Sequence, residues 1–109
     1  IYSQCDGWLF ASRVEGFGLP ILEAMACRTP VIATPAGAAP DLVTEENGFL
    51  LTSFTSKSLL EKIHDLVMLS PDEWGLMSQK ALSTALQNDW SIAASRFESM
   101  LLEVVGEKK

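Results

Sequence analysis

With 109 residues, 48% of them hydrophobic and 20% charged, the chain has the size and composition of one globular domain around a single core, which excludes disorder and leaves no room for a second domain. A net charge of −6, with eight scattered Lys and Arg, provides no basic stripe for nucleic acid or an anionic lipid surface. There is no apolar run of about 18 residues and no basic leader region, so no membrane span is predicted and the chain reads as cytoplasmic, with Cys5 and Cys27 as reduced, half-buried packing residues.

The chain opens on Ile1 and enters an apolar run within a few residues, which reads as part of a larger protein cut within a domain. Trp8, Leu9, Phe10 and Ala11 form a short aromatic-rich run expected to be a strand buried on both faces of a parallel sheet. After a loop with Gly16 and Gly18, Pro20 suits a first helical turn and ILEAMA follows as strong helix formers, so a helix is predicted near 20–28, ended by Pro30. Val31, Ile32 and Ala33 predict a second strand near 30–34, and residues 40–43 a short helical turn. Asn47-Gly48 signals a turn before a third strand at Phe49, Leu50 and Leu51.

Strands separated by helical stretches indicate βαβ units and a parallel, Rossmann-like sheet layered with helices. From Thr55 the period becomes helical, and three terminal helices are predicted. Their apolar faces are Leu59, Ile63, Leu66 and Val67, then Trp74, Met77, Ala81 and Ala85, then Ala93, Phe97, Met100, Leu101 and Val104. Ser70-Pro71-Asp72 and Asn88-Asp89 separate them, Asp72-Glu73 complements a helix dipole, and the final EKK is a frayed tail.

The loop between the first strand and the first helix is the candidate site. Ligands of open parallel sheets bind at the carboxyl ends of strands. Gly16 and Gly18 clear side chains from the approach and free backbone amides, and the amino end of a helix starting near Leu19 favours a phosphate or pyrophosphate. Glu15 and Glu23 flank this anion-friendly loop with seven residues between them. A carboxylate repels phosphate but accepts two hydrogen bonds from a vicinal diol, so the pair suits a ligand with hydroxyl-rich rings on both sides of a diphosphate. A sugar nucleotide has that shape.

Taken whole, SRVEGFGLPILEAMACRTPVIAT resembles the signature of the retaining GT-B-fold glycosyltransferases known as group 1 glycosyl transferases, in which two glutamates enclose seven residues with G-F-G-L-P between them and E-A-M-A behind. The likeness continues through Thr29 to Ala33, Pro40 and Asp41, Glu46 to Leu51 and Asp89-Trp90-Ser91, and so covers nearly the whole chain. It implies that residues 1–109 are the C-terminal portion of a donor-binding domain. The implied reaction is glycosyl transfer from a nucleotide-diphosphate sugar, with retention, to an acceptor sugar, lipid or polysaccharide held by an upstream domain.

On this resemblance Glu23 holds the ribose hydroxyls. Glu15 lies at the donor sugar in an orienting, charge-stabilising role, and the amides of Gly16, Phe17, Gly18 and Leu19 approach sugar and diphosphate. No metal and no cofactor beyond the donor is implied, and an isolated piece lacking the acceptor wall is expected to be inactive. The membrane's cytoplasmic face would be reached only through the upstream part. Three departures stand out: Arg28 in place of a common glycine, Ala36-Gly37-Ala38-Ala39 with Asp41 in place of a glycine-richer loop and a glutamate, and the family's phosphate-gripping arginine and lysine falling upstream.

Two other functions compete. A sugar-nucleotide epimerase of the same architecture is disfavoured by the contiguous G-F-G-L-P, and a non-catalytic nucleotide-sugar-binding module by the presence of Glu15. His64, the single histidine, is expected at the surface, and Trp74 and Trp90 are expected to pack rather than stack on sugar. Asp6 is read as a cap of low functional interest, and Phe17 as either packing under the loop or touching ligand.

Overall fold

The computed structural model describes residues 1–14, 19–88 and 90–107, with the side chains of Trp90 and Glu107 excepted. A 3-10 turn at Tyr2–Gln4 leads into strand β1 (Trp8–Phe10), helix α1 (Leu19–Ala26), β2 (Val31–Ala33), the short α2 (Ala39–Leu42) and β3 (Gly48–Leu50). Helices α3 (Ser56–Val67), α4 (Pro71–Leu86) and α5 (Trp90–Glu107) follow. The strands form one parallel sheet in the order β1-β2-β3, with Trp8 beside Val31 and Val31 beside Gly48. The predicted α/β class, three strands and three terminal helices are all present.

Central placement explains why β2, alone among the three described strands, has all of its residues buried. Val31 and Ala33 face one side, with Phe10, α1 residues Ile21, Ala24 and Met25, α2 and Ala81 of α4. Ile32, one residue out of phase, turns to the other side, where α3 lies against β2. Helix α1, backed by α4, thus covers one face of the sheet, and α3 lies on the other.

The expectation that β1 is buried on both faces is corrected. Leu9 is 48% exposed, because β1 is one of the two edge strands and α3 meets β2 instead. Gly48 takes the first position of β3, where a Cβ would stand 2.2 Å from the carbonyl oxygen of Val31. The strand begins one residue before the Phe49 start that its large apolar side chains indicate.

The end of α1 has a specific closure. Thr29 N–H donates to Ala24 O and Arg28 N–H to Met25 O, both at 3.0 Å, with Arg28 at φ 62°. This is the paired-bond helix ending that normally places glycine in the left-handed position. The departure noted at Arg28 therefore falls on the one turn residue of α1 whose backbone favours the glycine it replaces. Ser78 of α4 donates to the carbonyl of Arg28 at 2.6 Å, which locks the turn to the helix packed on α1.

Helices α3 and α4 are capped as their sequences demand. Thr55 accepts from the Ser58 amide at 3.2 Å. Ser70 and Glu73 form a reciprocal capping box, Glu73 N–H to Ser70 Oγ at 3.1 Å and Ser70 N–H to Glu73 Oε1 at 2.9 Å. The backbone bond from Ser70 holds the Glu73 carboxyl below its ordinary range, so this cap is ionised at neutral pH. Trp74 packs half-buried, as expected, and its indole N–H donates to the carbonyl of Asp6 at 2.8 Å.

Three apolar assignments are corrected. Val67 is 72% exposed and lies off the half-buried face formed by Leu59, Ile63 and Leu66. The stripe of α5 is not buried by the described residues: Phe97 is 62% exposed, Met100 63% and Val104 47%. The helix projects from the body, giving a radius of gyration of 16.1 Å where a compact chain of this length has about 13 Å. Cys27, expected half-buried, is exposed beside the α1 ending, whereas Cys5 is half-buried as expected.

Candidate functional site

The site is assembled at the carboxyl ends of β1 and β2 and the amino end of α1. Thr34, directly after β2 and 4% exposed, donates through Oγ1 to the carbonyl of Phe10 at 3.3 Å and to that of Ser12. One buried hydroxyl thus ties the two strand ends together, and the chain leaving β1 starts from a fixed point. Gly37 follows at φ 58°, a left-handed angle that suits glycine, and the turn delivers Ala39 into α2 with Asp41 and Pro40 exposed.

Glu15, Gly16, Phe17 and Gly18 lie outside the described residues. Leu19 opens α1 and its side chain is half exposed. Glu23 is its fifth residue, one turn in. The neighbours Ile21, Ala24 and Met25 are fully buried while Glu23 stands on the open face, so helical period places the one carboxylate of α1 outward.

Glu23 has a partner that sequence spacing did not indicate. The hydroxyl of Tyr2, 21 positions upstream, donates to Glu23 Oε2 at 3.1 Å. Desolvation first, then this hydrogen bond and the charges of Glu23 and Cys27, push the Tyr2 phenol above its ordinary value. The ring of Tyr2 meets Trp8 of β1 edge-on, with centroids 4.4 Å apart and planes at 64°. Only a fold that brings the 3-10 turn against α1 makes this pair.

Two surface hollows lie elsewhere. One runs along α3 past Leu60, Glu61, His64 and Asp65, and there His64 is exposed, as expected. The other lies between the turn before β3 and α4. Its Asn47 is a structural residue: Nδ2 donates to Leu42 O at 2.8 Å and to Thr84 Oγ1 at 2.9 Å, while Oδ1 accepts from the Thr44 amide. Among the described residues no three His, Cys, Asp or Glu side chains gather to hold a metal ion, and no helix is long and apolar enough to cross a membrane.

Comparison with known proteins meets this geometry from outside. The profile of the family described as glycosyl transferases group 1 matches residues 1–106. The lipopolysaccharide core biosynthesis mannosyltransferase LpsB of Rhizobium meliloti (strain 1021) is 30% identical over 107 residues, covering 92% of this chain and 30% of LpsB. The C-terminal domain of the group 1 family protein LpcC from Francisella tularensis superimposes with a TM-score of 0.70 at 35% identity, covering 80% of this chain and 45% of that one. Anabaena Alr3699/HepE in complex with UDP-glucose gives a TM-score of 0.77 at 30% identity over 94% of this chain and 29% of that one. The chain thus spans about a third of the length of LpsB and of HepE, and its solved neighbours are GT-B glycosyltransferases. By sequence and by fold, the chain belongs to the group 1 glycosyl transferases.

Proposed function

We propose that the enzyme containing this chain transfers a glycosyl group from a nucleotide-diphosphate sugar to an acceptor with retention of configuration, and that residues 1–109 are the C-terminal portion of its donor-binding domain. The observation that carries this reading is the exposed carboxylate of Glu23 one turn behind the amino end of α1, the helix that follows β1. The HepE complex supports it, since a relative of similar fold holds UDP-glucose.

In this reading the bond between the sugar and the diphosphate breaks, and the departing nucleoside diphosphate gains negative charge. Amides of Gly16, Phe17, Gly18 and Leu19, with the positive end of the α1 dipole, hold that charge where it develops. Glu23 accepts hydrogen bonds from the ribose hydroxyls, and Glu15 orients the donor sugar and stabilises positive charge at its reacting carbon. Retention places the acceptor hydroxyl on the face the diphosphate leaves, where its oxygen forms the new bond to the reacting carbon and its proton passes to the departing diphosphate. The helix end and these amides supply part of the counter-charge, the remainder coming from the phosphate-gripping arginine and lysine that the family resemblance places upstream, and no step is routed through a metal. The acceptor, a sugar, lipid or polysaccharide, is held by the part of the enzyme beyond this chain, on the cytoplasmic side of the membrane.

Calorimetric titration of the chain with UDP, GDP and ADP tests the donor site. One of the three is expected to bind, with Glu23→Ala weakening it about tenfold or more, since a hydrogen bond to a charged group is worth about 1.5–3 kcal/mol. Equal affinity in the variant would remove the ribose assignment. The chain alone, mixed with activated donor and acceptors, is expected to give no transfer; product would overturn the division of labour proposed.

A further inference from the structure

We propose that Tyr2 is a positioning residue for Glu23, its hydroxyl holding the carboxylate in the orientation that accepts the ribose of a nucleoside diphosphate. The inference rests on the ribose assignment of Glu23 made above. A glutamate on the open face of a helix turns about three side-chain bonds, and every bound orientation must be selected from that freedom. Glu23 has no such freedom while Oε2 accepts from the Tyr2 hydroxyl at 3.1 Å. A carboxylate offers about four acceptor positions and this bond takes one. Oε1 and the second position of Oε2 stay available for two ribose hydroxyls.

Tyr2 is itself held on three sides. Its ring rests edge-on against Trp8 of β1. Its carbonyl accepts from Thr29 Oγ1 at 2.6 Å and from the Cys5 amide at 3.1 Å. Thr29 is 1% exposed and sits between the end of α1 and β2, so the phenol is fixed relative to the helix that carries Glu23 and to the sheet. The groups that face the phenol, Glu23 and Cys27, together with desolvation, all raise its pKa, so it remains a protonated donor at neutral pH. An exposed bond of this kind adds little to folding stability. Its consequence is a pre-set carboxylate, which lowers the ordering cost of binding.

Tyr2 is the single tyrosine, so its phenolate absorbance reports this group alone. The test compares wild type, Tyr2→Phe, Glu23→Ala and the double variant for affinity to whichever of UDP, GDP or ADP binds best, with phenolate titrations beside them. Tyr2→Phe keeps the ring on Trp8 and is expected to bind roughly three- to tenfold more weakly, at an unchanged unfolding midpoint. The double variant is expected to bind no more weakly than Glu23→Ala, and the phenolate to form at lower pH in Glu23→Ala than in wild type. Wild-type affinity in Tyr2→Phe while Glu23→Ala loses binding overturns this proposal and leaves the ribose assignment standing. A full Tyr2→Phe loss on top of Glu23→Ala overturns it as well, because Tyr2 then acts independently. Indifference of binding to Glu23→Ala, or no binding by wild type, removes the assignment and the proposal together.

Discussion

Helices α1 and α5 present apolar faces of similar chemistry with opposite fates. Ile21, Ala24 and Met25 of α1 are fully buried between the sheet and α4, whereas Phe97, Met100 and Leu101 of α5 are each half or more exposed. Both faces obey the helical period. The difference is what the rest of the described chain places against them, so periodicity reports that a face exists and burial reports whether this chain covers it. Stability is therefore expected to reside in the first 50 residues and the two helices laid over them, and α5 to contribute little of it.

Substitutions can break that comparison. The largest effect is expected from Ile21→Ala, which opens a cavity in a fully buried position and should cost about 2–5 kcal/mol in denaturant unfolding. A loss under about 1 kcal/mol would mean that the α1 interface is loosely packed. Arg28→Gly tests how α1 is closed. Relieving the left-handed angle at φ 62° is expected to raise stability by up to about 1 kcal/mol, read as a higher denaturation midpoint. Phe97→Ser should have the smallest effect, within about 0.5 kcal/mol, because the ring leaves no cavity behind. A Phe97→Ser loss approaching that of Ile21→Ala would show that the two faces are equivalent in solution.

The same contrast explains what could be read without coordinates. Short apolar runs located the strands to within a residue, β2 most sharply because Pro30 and Pro35 stand on either side of it. Ser70-Pro71-Asp72 announced the start of α4 because a cap acts over a few residues, whereas Glu73, read as dipole charge, turned out to close a capping box with Ser70. Glu23 was legible as a residue just inside α1, while its open face is known from the burial of Ile21, Ala24 and Met25 around it.

Long-range contacts carried no such signal. The exposure of Leu9 depends on which strand is the edge, and the bond from Tyr2 to Glu23 spans 21 positions. Asn47 reads as a turn residue, yet its amide also reaches Thr84 on α4, 37 positions away. The strained angle at Arg28 was only hinted at by the glycine expected there. Glu15, Gly16, Phe17 and Gly18, the core of the predicted site, lie outside the described residues, so their roles rest on the motif and on the helix end that follows them.

Amide chemical-shift mapping tests most directly the claim that this chain holds a nucleoside diphosphate at the amino end of α1. With UDP, GDP or ADP added to the isotopically labelled chain, the shifts are predicted to centre on residues 15–19, spread to Glu23, Tyr2 and the turn after β2, and disappear in Glu23→Ala. Shifts centred on α5 or on the hollow beside Asn47 and Lys80, with residues 15–23 unmoved, would contradict it.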